Sequence, residues 1–260
     1  MDIDAYLRQR EALETAIKDK FTHTLTVMFT DLKGSTAITE KYGDLTTRQV
    51  IQHHNDIVMP AVKENNGTLV KSIGDGTLSH FENALDALRA AVRIQKGMDA
   101  LNLSGTFPMP VLMRIGIHTG HCILEKNDIF GDVVNTSSRF ESSANPGEIL
   151  FSEDTYNALS DKSEIYCRFA RQVTLKGKSE PFNAYKAFWN PQEIEIDLKG
   201  GVKQVAEPEK SPRSHWIRYA IGFGILLLLV FALASRDRIL NIGGEEKRSI
   251  NHGSAAQSER

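Results

Sequence analysis

Residues Thr26–Thr36 read TVMFTDLKGST. A run of strand-favouring residues, Val27, Met28, Phe29 and Thr30, delivers one carboxylate, Asp31, to a Lys-Gly-Ser-Thr turn. β-branched and aromatic residues in a short apolar run bounded by turn residues predict a buried strand. Outward from this strand, Leu45–Glu64 places Val50, His54, Ile57, Val58 and Ala61 on one helical face, with Pro60 expected to kink the helix near its end. Gly67 then opens TLVKSIGDGTLSHF, two strand-like runs joined through Gly74-Asp75-Gly76. This pattern predicts a β-hairpin with Asp75 at its tip.

Leu85, Leu88, Ala91, Val92 and Met98 mark a second amphipathic helix, followed by the strand-like VLMRIGIHTG and a polar stretch through Asp128. GDVVNTSSRFESSA predicts another helix, and the runs EIYCRFARQVTL and EPFNAYKAF predict two closing strands. Strand, helix, hairpin, helix, strand is the order of an α+β fold of the ferredoxin-like, split β-α-β kind, with an antiparallel-rich sheet and packed helices. In such a sheet the first strand lies beside the hairpin, so Asp31 and Asp75 converge. Two carboxylates and a backbone carbonyl suit a hard, oxygen-loving cation such as Mg2+. On the residues alone an equal alternative stands: Asp31 caps a turn or helix, and Asp75 is a turn aspartate.

The chain has 260 residues, with 31 Lys plus Arg against 33 Asp plus Glu, so no general basic field recruits nucleic acid. Cys122 and Cys167 form no CxxC pair, which argues against a zinc site or a disulfide framework. There is no GxxxxGK[ST] phosphate loop. Residues 1–21 alternate acidic and basic side chains without an apolar core, as expected of a short amphipathic helix rather than a secretory signal. The expected domain spans 22–190. Residues 191–215, rich in charge, Gly and Pro, are expected to form a linker.

Residues 216–235, WIRYAIGFGILLLLVFALAS, approach the about 20 apolar residues that cross a bilayer as a helix. Arg218 lies close enough to one end to snorkel beside Trp216 and Tyr219. One C-terminal transmembrane helix is therefore expected, followed by a polar tail over 236–260.

VMFTDLKGST, VKSIGDG, RIGIHTG, DIFGDVVNTSSRFESSA and TLKGKSEP stand in the order and with the character of the class III nucleotide cyclase catalytic domain, which this chain resembles from about Thr24 to Phe188. The resemblance implies that Asp31 and Asp75 bind two divalent cations, Mg2+ or Mn2+, with the carbonyl of Leu32 as a further ligand. It implies that Lys71 and Asp128 read the base, that Asn135 orients the ribose, that Arg139 stabilises the transition state, and that Lys176 meets the terminal phosphates. It further implies a head-to-tail homodimer with its two sites at the interface.

Lysine only donates hydrogen bonds and an ionised aspartate only accepts them. Lys71 with Asp128 therefore complements the N1 acceptor and 6-amino donor of adenine, and the family's ATP-specific members carry the same pair. Cytosine offers a similar edge, so CTP is separated only by pocket size, with GTP and UTP less favoured. The expectation is a single-pass membrane-anchored adenylate cyclase with its catalytic domain in the cytoplasm. A catalytically silent nucleotide-sensing module is the alternative from another class.

Overall fold

A computed structural model describes residues 2–126 and 128–200. In chain order the elements are α1 (Ile3–Phe21), β1 (Thr22–Leu32), α2 (Ser35–Glu64), β2 (Thr68–Ile73), β3 (Gly76–Phe81), α3 (Ala84–Leu103), β4 (Met113–Leu124), β5 (Ile129–Phe130), α4 (Asp132–Ser143), β6 (Ile149–Ser152), α5 (Glu153–Asn157), β7 (Cys167–Val173), β8 (Phe182–Ala187) and α6 (Pro191–Lys199). The strands form one mixed sheet in the order β2-β3-β1-β4-β6-β8-β7, with β5 paired to β4. Only β4 and β6 pair in parallel among the described strands.

The opening strand is central, antiparallel to β3 on one side and to β4 on the other. Successive side chains of a strand point to opposite faces. Val27 and Met28 are both fully buried, because both faces are covered. Met28 joins a core with Val58 of α2 and Leu88, Ala91 and Ile94 of α3. Val27 joins Leu78, Cys122, Ile129 and Val133 beneath α4 and the β4–β5 hairpin. Two-sided burial is why the run is continuously apolar rather than alternating.

Gly116 of β4 fixes how closely α4 packs. A Cβ built there would lie 1.9 Å from the backbone nitrogen of Glu141. Gly116→Ala must therefore push α4 off the sheet, and overpacking of this kind costs about 1–3 kcal/mol. The variant should show a lower urea midpoint than the parent.

The expected hairpin is present, with Gly74 at φ +64 in the first central position of its two-residue turn, as a type II′ turn requires. Several expectations need correction. The helix expected from Leu45 begins at Ser35, and its non-helical residue is Gly43, not Pro60. Pro60 is exposed and its fixed φ is helical, so it removes a hydrogen bond without breaking the helix. The polar stretch through Asp128 is instead the end of β4 turning into β5, with Glu125 N–H donating to the Asp128 carbonyl. The strand β6, four residues long after Gly147, was not anticipated.

The first nine residues of the expected linker form α6, started by Asn190, whose side chain accepts from Gln192 N–H, and by Pro191 in the first turn. Asp197 fastens α6 to β7 by accepting from Tyr166 Oη and pairing with Arg168 Nε at 2.6 Å. Among the described residues no helix is long and apolar enough to cross a membrane. The span expected over 216–235 and the tail expected over 236–260 lie outside the described residues.

Candidate active site

The end of β1 and the tip of the β2–β3 hairpin meet because Gly76 lets them. A Cβ at Gly76 would stand 2.2 Å from the carbonyl oxygen of Thr30, so only glycine allows the hairpin tip this close to β1. Asp31 follows Thr30 and Asp75 precedes Gly76, so the close approach brings the two aspartates to one end of the sheet. Leu32 ends the strand with its side chain in the core. A cleft of about 440 Å³ between the first turns of α2 and the hairpin tip opens onto Asp75.

Asp31 lies directly across from Arg114 of β4 and accepts a hydrogen bond from its guanidinium. The same guanidinium faces Glu141 of α4 at 2.9 Å. Burial pushes the Glu141 carboxyl above the usual range. Arg114 opposes that rise, whereas the negative charges of Asp31 and Asp75 add to it. Two carboxylates, Asp31 and Glu141, thus share one arginine, with the charge of Asp75 close enough to be felt.

The Oδ2 atom of Asp75 is buried without a hydrogen-bond partner among the described residues, which is costly for a carboxylate oxygen unless a cation or donor meets it. Among the described residues no cluster of three or more His, Cys, Asp or Glu side chains could hold a metal alone. Two carboxylates and a carbonyl instead suit Mg2+ or Mn2+ that takes its remaining oxygens from water and substrate phosphates. The donor set and the orphaned Asp75 oxygen therefore fit divalent cations.

Lys71 and Asp128, far apart in sequence, come together. Lys71 Nζ donates to Asp128 Oδ1 at 2.8 Å and to Oδ2 at 2.7 Å. These bonds, with one from Ile129 N–H at 2.9 Å, hold the Asp128 carboxyl below its ordinary range. The β4–β5 hairpin makes the meeting possible by folding over the sheet, with Ile129 and Leu124 packed against Leu78 and Val70.

Asn135 and Arg139 lie one turn apart on α4, where residues spaced by four share a face. Asn135 is exposed and Arg139 half-buried. The nearest atoms to a Cβ built at Gly177 belong to the Arg139 guanidinium, at 3.5 Å, so this arginine lies against the loop carrying Lys176 and Lys178. Lys178 is tied to Asp132 in the first turn of α4, and that pairing draws the Asp132 carboxyl below its usual range. Lys176 is exposed, and no hydrogen bond or ion pair holds its ammonium among the described residues. Of the two lysines, Lys176 is the one left free for an incoming anion.

The predicted site residues thus fall into separate groups: Asp31, Leu32 and Asp75; Lys71 with Asp128; and Asn135, Arg139 and Lys176. No hydrogen bond or ion pair among the described residues joins the last group to the first. Arg114 and Glu141 were not singled out in the sequence. Arg114 is the one charge in the apolar run VLMRIGI, a signal that could have found it. Glu141 gave none, because only the crossing of α4 over β4 brings it to Arg114. His54 is fully buried on α2, as its place on the apolar face of that helix predicts.

A family model described as the adenylate and guanylate cyclase catalytic domain matches residues 17–189. The chain is 29% identical over 201 residues to the terminal-differentiation-specific adenylate cyclase of Dictyostelium discoideum, covering 70% of this chain and 9% of that protein. It is 30% identical over 183 residues to guanylate cyclase D of Mus musculus, covering 63% of this chain and 16% of that protein. The chain therefore spans only a small part of the length of either relative. The crystal structure of the adenylyl cyclase CyaB from P. aeruginosa superposes with a TM-score of 0.60 at 27% identity, covering 64% of this chain and 94% of that one.

Proposed function

Since this chain belongs to the adenylate and guanylate cyclase catalytic domain family, we propose that it converts ATP to 3′,5′-cyclic AMP and pyrophosphate in sites shared between two copies. The ATP reading is carried by one observation, the Lys71–Asp128 contact, which presents a donor beside an acceptor. That order complements the adenine edge and opposes the guanine edge.

Two divalent cations held by Asp31, Asp75 and the Leu32 carbonyl would lower the pKa of the ribose 3′-hydroxyl and neutralise the triphosphate. The 3′-oxygen attacks the α-phosphorus, and the bond to the bridging oxygen of the leaving pyrophosphate breaks. Arg139 meets charge developing on the α-phosphoryl oxygens, while Asn135 holds the ribose so that attack and departure stay in line. Lys176 meets the terminal phosphates. Because no hydrogen bond or ion pair among the described residues joins Asn135, Arg139 or Lys176 to Asp31 or Asp75, the reading takes each complete site from two copies arranged head to tail.

The test is to incubate the protein with ATP, GTP, CTP and UTP separately, with Mg2+ or Mn2+, and to identify products by mass spectrometry. Cyclic AMP alone is the expected result. A different cyclic nucleotide would overturn the base assignment while leaving the reaction class intact, and nucleotide binding without turnover would favour a sensing module.

A further outcome concerns the two neighbouring lysines. Lys176→Ala should raise KM for ATP about tenfold, the loss of one charge-assisted contact of roughly 1.4 kcal/mol. Lys178→Ala should change it less, because Lys178 is committed to Asp132. Equal effects in a KM comparison would reassign the phosphate contact.

The proposed enzyme is anchored by the apolar stretch 216–235, with its catalytic domain on the cytoplasmic side where ATP is found. The support is composition: Tyr219–Ser235 carries no charge and is flanked by Arg218 and Arg236. Recovery of the full chain in the soluble fraction of lysed cells would refute the anchor.

A further inference from the structure

Beneath the two aspartates runs a buried polar chain. Thr30 and Thr77 are 2% and 1% exposed and His54 is fully buried. Thr30 Oγ1 lies 2.7 Å from Thr77 Oγ1 and accepts from Thr77 N–H at 3.1 Å. It also lies 3.4 Å from His54 Nε2, while His54 Nδ1 is 3.0 Å from Asn55 Oδ1. One proton arrangement satisfies all of these contacts. Nδ1–H donates to Asn55 Oδ1, leaving Nε2 to accept the Thr30 hydroxyl, and Thr30 Oγ1 accepts from Thr77.

The placement is specific. Thr30 immediately precedes Asp31, and alternation along β1 turns its side chain away from Asp31, toward α2. Thr77 follows Asp75 by two residues on the returning strand of the hairpin. Thr30 and Thr77 are direct cross-strand partners. The chain therefore ties the backbone under Asp31 to the backbone under Asp75 from the face opposite the Asp31 carboxylate, and anchors both to α2 through His54.

Building on the two-cation reading above, we propose that His54, Thr30 and Thr77 are positioning residues that set the spacing of the Asp31 and Asp75 carboxylates, and through it the affinity of the site for a divalent cation. A buried, hydrogen-bonded histidine can also serve stability alone. The two roles differ in what they move: stability alone changes the folding midpoint, whereas positioning changes cation affinity in protein that remains folded.

The measurement is Mn2+ affinity of the full chain by water-proton relaxation enhancement, with 3′-deoxy-ATP present because it lacks the attacking hydroxyl. Thr77→Val and His54→Leu should each weaken Mn2+ binding about 10- to 100-fold, the usual effect of removing a partner behind the direct ligands. His54→Gln, whose side-chain oxygen can accept the Thr30 proton, should restore most of the affinity. Unchanged Mn2+ affinity in folded Thr77→Val, with Asp75→Asn abolishing it, would overturn the positioning role and leave the cation site standing. Unchanged affinity in Asp75→Asn would overturn both. Should His54→Leu fail to fold, Thr77→Val carries the decision, because it keeps the side-chain shape and removes only the hydroxyl.

Discussion

Asp75→Asn should yield a folded protein that makes no detectable cyclic nucleotide. The substitution keeps size and shape at the second position of a tight turn, where asparagine is as well accommodated as aspartate. Circular dichroism and the urea midpoint should therefore match the parent. What it removes is a negative charge at the site where Oδ2 is buried with no partner among the described residues. The loss should exceed the roughly 100-fold that disturbing a partner behind the metal ligands costs, and added Mn2+ should not restore activity. The assay is cyclic AMP by mass spectrometry at saturating ATP. Turnover close to the parent would exclude Asp75 as a ligand and return it to being a turn residue.

Asp31→Asn tests the same idea less cleanly. Arg114 sits between Asp31 and Glu141, so removing one carboxylate leaves a half-buried guanidinium under-compensated. Part of any loss would then reflect Arg114 rather than a cation.

The path from Thr26 to Asp31 was legible because a strand covered on both faces writes itself as an unbroken apolar run. The hairpin was legible because Gly74 is needed at its positive φ. Helix α4 was legible as a helix, yet its depth was not, because Gly116 looks like any strand glycine until the helix above it is in place. The first turns of α2 escaped for a local reason. Gly43, at φ +82, interrupts the helical pattern, and Ser35–Tyr42 bury only Ile38, too little for periodicity to register. Strand β6 escaped because a four-residue run with three apolar residues cannot be told from a helix fragment by spacing alone.

Within the site, the acidic and basic residues could be named from their motifs, but not which of them touch. Lys71 meets Asp128 only because the end of β4 turns back over the sheet, in a segment that reads as polar loop. Arg114 and Glu141 belong together through tertiary packing alone. Local pattern thus revealed residues whose chemistry is displayed on turns and helix faces. It missed those whose role depends on one element crossing another.

Arg139→Ala should lower kcat by about 10²- to 10³-fold, the usual cost of losing a group aimed at transition-state charge. KM for ATP should change much less, because Arg139 acts on charge that develops during reaction. The guanidinium rests beside Gly177 and is held by no ion pair among the described residues, so its removal leaves no buried carboxylate stranded and should not cost stability. The sharper consequence comes from mixing. If Asp75 serves one site and Arg139 is supplied to it by the other copy, a dimer of Asp75→Asn with Arg139→Ala has one site carrying both defects and one carrying neither. Random pairing of equal amounts makes about half the dimers mixed, each with one of two sites intact, so activity should return to roughly a quarter of the parent. Two inactive homodimers that recover activity on mixing require a site built across two chains. If the mixture stays as inactive as its components while size-exclusion chromatography with differently tagged chains shows that mixed dimers have formed, each copy carries its own complete site and the head-to-tail arrangement is wrong.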